Sequence, residues 1–190
     1  MNTNLIYRNL CRDDFDAVIQ LATQVHGEGY VDTQALEKWF RQGICNDINA
    51  SFVVLDGKTL IGYRITFSAG LWDIDQWCST QLWNVDPDKV CYFKCNTLAE
   101  GFRGLGIGPQ LLALSAQSAK KQGALAGIAH LWKQSPGNSA VNYFTKCGAR
   151  YISTHPSRWN EDSQNGYICT LCGNDCHCDA QEMLLEFARD

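Results

Sequence analysis

A run of alternating glycines is the part of this sequence best suited to hold a ligand: Arg103-Gly104-Leu105-Gly106-Ile107-Gly108. Glycine lets the backbone come close to a bound group, and Pro109 is expected to start a helix that adds unpaired N–H groups and a partial positive charge. Such a turn can cradle phosphate oxygens. No Gly-Lys-Ser/Thr follows, and Pro109 stands where G-x-G-x-x-G needs its last glycine, so neither the P-loop nor the dinucleotide pattern fits.

A second group with chemical capacity lies near the end of the sequence, where four cysteines fall within ten residues: Cys169, Cys172, Cys176 and Cys178. Four soft thiolates on a tight loop match the tetrahedral ligand set of a structural zinc ion, which would leave no open position for catalysis. The spacing differs from two separated Cys-x-x-Cys pairs. Unliganded reduced thiols, and disulfide or redox chemistry, therefore stand as alternatives.

These groups need a framework, and the hydrophobic periodicity predicts alternating strands and helices. Asp13 or Asp14 and then Asp32 or Thr33 are expected to cap two helices, and Asp56-Gly57 predicts a tight hairpin. Residues 69–89 are expected to form a long irregular loop. The predicted strands cover 4–10, 51–55, 59–67, 90–99 and 126–132, with two more near 150–155 and 165–171; further helices start at 109 and 140, and 180–187 fits either type.

The glycine run, between a strand and a helix, resembles the Arg/Gln-x-x-Gly-x-Gly/Ala signature of the GNAT superfamily of acetyl-CoA-dependent N-acetyltransferases. Arg103, Gly106 and Gly108 take its defining places, and 127–149 is similar to the strand and helix that follow it in that family. The likeness covers 51–150 well and the ends by topology only. It implies one α/β domain over 1–190: a mixed sheet of about six or seven strands, splayed between the fourth and fifth, with about four helices.

The resemblance also implies how acetyl-CoA is held. The backbone amides of Arg103, Gly104, Leu105, Gly106, Ile107 and Gly108 would bind the pyrophosphate, as a helix start binds anions. The strand around Leu98 would pair with the pantetheine arm as an added strand does. Asn138, at the start of the later helix, is either a polar contact to that arm or an ordinary cap.

The catalytic groups are less well defined by the resemblance. Family members often carry a Tyr as acid where this sequence has Phe144, so Tyr143, about 100° around the helix, is the candidate. Thiolate departure without an acid is the alternative. Glu100, His130 and Glu28 are candidate bases, because an attacking amine must lose a proton. A solvated charge or a structural histidine is the competing interpretation for each. Cys95 and Cys147 are interpreted as inert buried thiols rather than nucleophiles.

Charge and composition limit the partners. The net charge is −4, and no basic run exceeds Lys120-Lys121, so nucleic acid is not expected. No apolar run approaches the roughly 18 residues that span a bilayer, and no export signal is seen, so a cytoplasmic location without membrane contact is expected. Asp73 and Asp75, among several tryptophans, favour a cationic acceptor, although a solvated loop fits equally.

The expected function is therefore direct transfer of acetyl from acetyl-CoA to a primary amine of a small molecule or a peptide. A homodimer is a further expectation, because families of this kind often dimerise. Two other functions stay open: a non-catalytic coenzyme-A-binding protein, which Phe144 favours, and a zinc-stabilised module that binds a partner protein through Cys169–Cys178 and the tryptophan-rich loop.

Overall fold

The computed structural model describes residues 5–188, which form one seven-stranded sheet with helices on both faces. A separate two-stranded hairpin follows the second helix in the chain and precedes β4. In chain order the elements are β1 (Leu5–Asn9), α1 (Phe15–His26), α2 (Thr33–Gln42), β2 (Ile44–Cys45), β3 (Ile48–Asn49), β4 (Phe52–Asp56), β5 (Thr59–Phe67), β6 (Val90–Leu98), α3 (Ile107–Lys121), β7 (Ala126–Trp132), α4 (Ser139–Lys146), β8 (Arg150–His155), α5 (Asn160–Gln164) and β9 (Ala180–Glu186).

The sheet order is β1-β4-β5-β6-β7-β9-β8. All neighbouring strands run antiparallel except β6 and β7, which are parallel and are joined by the crossover helix α3. The last strand, β9, enters between β7 and β8. The expected mixed α/β sheet is confirmed, and residues 180–186 prove to be strand.

The parallel strands β6 and β7 pair only near their starts, at Val90–Ala126, Cys91–Gly127 and Tyr92–Ile128. Beyond Tyr92, β6 continues along β5 while β7 continues along β9, so the two strands part within the described residues. The splay expected between the fourth and fifth strands of the sheet is therefore confirmed. Beyond Tyr92, the edge of β6 that faces β7 therefore has no partner strand within residues 5–188.

Apolar side chains hold the helices on opposite faces of the sheet. One face packs α1 and α2 through residues such as Val18, Leu36 and Phe40. The other face packs α3 and α4 through residues such as Leu112 and Phe144. Each of these buried side chains contributes roughly 1.5–3 kcal/mol by leaving water. No helix within residues 5–188 has the length and apolar character needed to cross a membrane.

Local signals explain most element boundaries. The Asp32 carboxylate accepts a hydrogen bond from the Ala35 N–H at 2.7 Å and so caps α2. The hairpin between β4 and β5 turns at Gly57, with φ +60°. The predicted start of α3 at Pro109 is wrong by two residues: the helix begins at Ile107, because Gly106, with φ +80°, ends the preceding turn.

The expected strand near 165–171 is wrong. Gly166 and Gly173 have φ values of +108° and +72°, and the chain between them forms turns with one isolated bridge from Cys169 to Gly173. The backbone N–H of Ile168 donates to the Glu28 carbonyl at 2.9 Å rather than to a strand. Residues 156–179, which we call the β8–β9 segment, hold only the short helix α5 as regular structure. The loop 69–89 is irregular, as expected, with two short 3₁₀ turns.

Candidate active site

A cavity of about 1260 Å³ lies where β6 and β7 part. Its turn half is lined by the end of β6, the glycine turn and the start of α4. Its loop half is lined by the loop after α1 and by the β8–β9 segment. A smaller cavity of about 300 Å³ adjoins the loop half, since five residues line both: Trp39, Tyr92, Lys94, His130 and Arg158.

The glycine turn has the open shape that an anion cradle needs. Gly104 and Gly106 have φ values of +77° and +80°, and no heavy atom lies within 4 Å of where their Cβ atoms would be. Both line the cavity, as do Arg103, Ile107 and Gly108. Leu105 points away, with 64% of its surface exposed. The turn leads into the fifteen-residue helix α3, whose first N–H groups are available to an anion.

The wall beside the turn is formed by the end of β6 and the start of α4. Leu98 lines the cavity where β6 has no partner on the β7 side, and its carbonyl oxygen accepts a hydrogen bond from the Arg103 side chain at 3.3 Å. Asn138 takes a left-handed conformation, φ +51°, immediately before α4. Its Oδ1 is buried and receives no hydrogen bond from the described residues, and Asn138 itself does not line the cavity, although its neighbours Gly137 and Ser139 do. Asn142, which the sequence analysis missed, lines the cavity one turn further along α4.

Tyr143 and Phe144 of α4 both line the cavity but make different contacts. Phe144 is fully buried and packs edge-on against Phe93. Tyr143 lines the cavity, and its hydroxyl accepts a hydrogen bond from the Arg64 guanidinium. Burial raises the pKa of Tyr143 to about 12 although Arg64 opposes that shift, so the hydroxyl keeps its proton at neutral pH.

Arg64 is 1% exposed, and its guanidinium lies 5.1 Å and 5.6 Å from the ring centres of Phe93 and Phe144. An arginine inside a strand is not distinguishable in the sequence from one on an exposed face. Its role therefore emerged only from the structure. The buried cation provides a positive potential at the gap between the strands.

His130 lies on β7 beside the gap and is held at both ring nitrogens. Its Nε2 is 2.7 Å from the Trp77 carbonyl oxygen, which can only accept, so Nε2 carries the hydrogen. Its Nδ1 then accepts from the Tyr92 hydroxyl at 3.2 Å. Burial lowers the pKa of His130 to about 4, so the ring is neutral at pH 7.

The carboxylates proposed as bases lie elsewhere. Glu100 is exposed on the short turn Glu100–Phe102, outside the lining of both cavities. Glu28 is exposed on the loop after α1, where its backbone carbonyl binds the β8–β9 segment. The structure thus brings Tyr143 and His130 to one cavity and leaves both carboxylates at its outside.

Opposite charges line the smaller cavity. Lys94 is the extra residue of a β-bulge, because Ile65 pairs with Cys95 and Thr66 with Phe93. The bulge turns its ammonium group to 4.8 Å from the Trp39 ring centre, and burial lowers its pKa. Asp73 and Asp75 also line the cavity, but Asp75 is ion-paired with Arg158 at 3.2 Å.

The loop 69–89 is anchored to the far side of the sheet by Glu182, a fully buried residue of β9. Its carboxylate accepts from the Ser79 N–H at 3.0 Å, the Trp83 indole at 2.8 Å and His155 at 2.9 Å. Although burial alone raises a carboxyl pKa, these bonds lower that of Glu182. His130, His155 and Glu182 place possible ligand atoms within 4.8 Å of one another, as a metal site would. Both ring nitrogens of His130, however, already have protein partners.

The β8–β9 segment closes the loop half by lying against the loop after α1. A Cβ at Gly27 would come within 2.0 Å of the Ile168 carbonyl oxygen, and one at Gly29 within 2.3 Å of the Gly166 carbonyl oxygen. The Tyr167 hydroxyl donates to the His26 carbonyl at 3.1 Å. In the sequence, Gly27 and Gly29 indicated only the end of a helix. Their close packing depends on Ile168 and Gly166, about 140 positions further along the chain.

The four clustered cysteines are gathered in this same segment. Their sulfur atoms all lie within 4.8 Å of one another, and three of the four residues are buried. Trp132, Trp159 and Tyr167 pack around them. Cys169, Cys176 and Cys178 also line the large cavity, so the cluster is part of its wall.

Comparisons with known proteins agree with this architecture. The acetyltransferase (GNAT) family model matches residues 15–149. No protein with curated annotation matches the sequence significantly. Solved structures do match: yncA, a putative acetyltransferase from Salmonella typhimurium with its cofactor acetyl-CoA, superposes with a TM-score of 0.69 at 13% identity, covering 98% of this chain and 95% of that one.

Two further solved structures match nearly the whole length of this chain. Ribosomal-protein-S18-alanine N-acetyltransferase from Escherichia coli gives a TM-score of 0.66 at 12% identity, covering 98% of this chain and 96% of that chain. Ard1 from Thermoplasma volcanium gives 0.68 at 12% identity, covering 97% and 99%. At such identities the likeness concerns the fold.

Proposed function

Because the chain belongs to the acetyltransferase (GNAT) family and is an acyltransferase, we propose that it transfers acetyl from acetyl-CoA to a primary amine of a small molecule or a peptide. One observation carries the proposal: an open glycine turn at a helix start is continuous, through a single cavity, with the unpartnered edge of β6. That combination fits a long ligand with a charged pyrophosphate and an amide-bearing arm.

In this proposal the turn half of the cavity holds acetyl-CoA. The amides from Arg103 to Gly108 bind the pyrophosphate, and the β6 edge near Leu98 pairs with the pantetheine. Asn138 lies between two lining residues, Gly137 and Ser139, and in this proposal its buried, unpartnered Oδ1 turns toward the cavity to accept a hydrogen bond from the same arm. When bound, acetyl-CoA supplies an acyl thioester at the gap between β6 and β7.

The loop half then receives the amine, and its residues favour the neutral form that can attack. A free lysine-like amine has a pKa of about 10.4, so it arrives protonated. Asp73 attracts an ammonium group to the smaller cavity, whereas burial and the cation of Lys94 both disfavour a second ammonium group beside Lys94 itself. The acceptor therefore loses its first proton to water as it enters.

Tyr92 and His130 take the second proton, which the amine loses as it attacks. Tyr92 lines both cavities, at the last paired position before the strands part. Its oxygen can accept from the amine while its own proton moves along the 3.2 Å hydrogen bond to His130 Nδ1. His130 has a free lone pair on Nδ1 because its ring is neutral at pH 7, while the burial that lowers its pKa to about 4 also makes it a weak base.

Tyr143 acts on the other side of the gap as the acid for the departing thiolate. Its hydroxyl is protonated, and the neighbouring Arg64 stabilises the negative charge left after donation. Glu100 and Glu28 take no part in this scheme. A cytoplasmic location, a homodimer and a structural zinc ion at the cysteine cluster complete the proposal.

The decisive experiment is calorimetric titration with acetyl-CoA, followed by a thiol-release assay over a panel of small and peptide amines. We expect saturable binding near one equivalent and release of coenzyme A with at least one class of amine. Binding without turnover across the panel would instead indicate a non-catalytic coenzyme-A-binding protein. A crystal soaked in acetyl-CoA with the glycine turn empty would overturn the proposal.

A further inference from the structure

We infer that Cys169, Cys172, Cys176 and Cys178 bind one zinc ion, and that this ion holds the β8–β9 segment in place as the wall of the loop half. The two parts have separate supports. The metal site rests on the geometry of the sulfur atoms and their surroundings. Its effect on the acceptor rests, in addition, on the proposed acetyl transfer.

The sulfur positions match a tetrahedral zinc site. With Zn–S bonds of about 2.3 Å, a regular tetrahedron sets neighbouring sulfur atoms about 3.8 Å apart. The Cys178 sulfur lies 3.7 Å from that of Cys172 and 3.9 Å from that of Cys169. A disulfide needs about 2.05 Å and one partner per sulfur. Cys178 instead lies almost equally far from two cysteines, as a shared central ion requires.

The backbone around the cluster is also shaped to hold thiolates. Cys169 and Gly173 exchange two backbone hydrogen bonds of 2.9 Å, which fold Cys169-x-x-Cys172-Gly173 into a tight knuckle. Gly173 has φ +72°, as its place in that turn demands. This turn brings Cys169 and Cys172 to the same side of the segment, so that both sulfur atoms join the cluster.

A second contact comes from outside the segment. The Trp132 side chain, at the end of β7, packs against the cysteine cluster. Since β7 is the strand that forms one edge of the gap, the cluster is tied to the sheet beside the site. The proposed ion would thus join the β8–β9 segment to the sheet as well as to itself.

This segment has few other means of holding its shape. Its regular structure is limited to five residues of α5, and most of its other side chains are exposed or half-buried. Yet Trp159, Tyr167 and Thr170 form part of the cavity wall. A zinc ion bound by four thiolates supplies folding free energy directly to such a segment. We therefore expect metal loss to disorder the wall while leaving the sheet folded.

The first test measures the metal itself and needs no substrate. The protein purified with zinc should contain about one zinc per chain, and cobalt exchange should give the intense visible and charge-transfer absorption of tetrahedral cobalt bound to thiolates. Cys172→Ser should lower retained zinc at least about tenfold against a competing chelator. Cys45→Ser, a half-buried cysteine of the β2–β3 hairpin, is the matched control and should keep full zinc.

Two results would overturn the metal site. One is wild-type protein without zinc after expression and purification in its presence. The other is an intact mass lower by two hydrogens per bridge, which would show that the four sulfur atoms form disulfides. Equal zinc content in Cys172→Ser and Cys45→Ser would also contradict the assignment of the ligands.

The second test concerns the wall and separates it from the proposed activity. In Cys172→Ser the KM for an active amine should rise about tenfold, whereas calorimetric affinity for acetyl-CoA should stay within about twofold. If the wild-type protein binds zinc but Cys172→Ser leaves the KM for the amine unchanged, the wall role is rejected and the metal site stands. If no amine is active, hydrogen exchange in 156–179 with and without chelator tests the same ordering; equal protection would reject it.

Discussion

The two halves of the cavity are built in different ways. The turn half is made from two consecutive segments, the end of β6 and the glycine turn, together with the start of α4. The loop half is made from side chains of the loop after α1, the loop 69–89 and the β8–β9 segment, which meet only in the folded chain. A site for a common ligand can be made of backbone, whereas selectivity for an acceptor needs side chains brought from afar.

The largest effect should come from placing a carboxylate in the turn half. Gly106→Glu adds about 1–2 kcal/mol of left-handed backbone strain and sets a negative charge against the pyrophosphate, at a cost of several kcal/mol. We expect the Kd for acetyl-CoA to rise about 1000-fold by calorimetry.

Gly123→Glu is the matched control, because Gly123 has φ +99° and open space around its Cβ position at the other end of α3. It carries the same kind of strain and charge, away from the cavity. Equal loss of affinity in the two variants would mean that the turn half does not hold the pyrophosphate.

The next effect concerns the acid. Tyr143→Phe should lower kcat about 100-fold, as loss of a general acid does, and change acetyl-CoA affinity little. Tyr151→Phe removes an exposed hydroxyl from β8 and should leave kcat unchanged. Because the acid is the protonated form and the pKa of Tyr143 is about 12, this contribution should be present at neutral pH and lost only as the pH rises through that value.

A smaller effect is expected from the proton acceptor. His130→Gln should lower kcat about tenfold, since water can partly replace it. The neutral ring is the active form and is lost as the pH falls through about 4. The pH profile of kcat should therefore lack a histidine limb near about 6.5, the ordinary value.

His26→Gln provides the comparison for that variant. His26 also lines the cavity, and burial lowers its pKa to about 4, but its Nε2 is bonded to Thr97. If both variants lose kcat equally, the loss reflects disturbed packing rather than proton transfer by His130.

The smallest effect should come from the contact that closes the loop half. Gly29→Ala forces a Cβ against the Gly166 carbonyl oxygen, so it should push the β8–β9 segment outward. We expect the KM for an active amine to rise about fivefold, or about 1 kcal/mol, with unchanged affinity for acetyl-CoA. Gly57→Ala, with φ +60° and nothing within 4 Å, adds similar backbone strain without that clash. An equal rise in both variants would contradict the closing role.

The difference between the halves also explains what the sequence could predict. The glycine turn and the strand before it follow from local pattern, because their geometry depends on neighbours a few positions away. The splay between β6 and β7, whose paired residues lie more than thirty positions apart, was expected only from the family resemblance. Lys94 could not be placed, since only the bulge opposite Ile65 decides which way its side chain points. The strand expected at 165–171 failed for the same reason: its backbone partner is Glu28, far back in the chain.

Candidate catalytic groups show the same limit. Tyr143 and His130 were identifiable as residue types on the right elements, but Tyr92 was not, because its significance depends on the register that ends strand pairing there. Arg64 was overlooked because a buried strand arginine has no sequence signature. The four cysteines were visible from spacing alone, since all four come from ten consecutive residues.

The anchoring of the loop 69–89 by Glu182 has a consequence for how the protein is made. The loop is synthesised about a hundred residues before the carboxylate that fixes Ser79 and Trp83. β9 must also slip between β7 and β8 to deliver it. On the ribosome, the turn half, for which we propose coenzyme A binding, can therefore assemble first. The other half stays unfinished until the final strand has emerged, which separates maturation of the two binding regions in time.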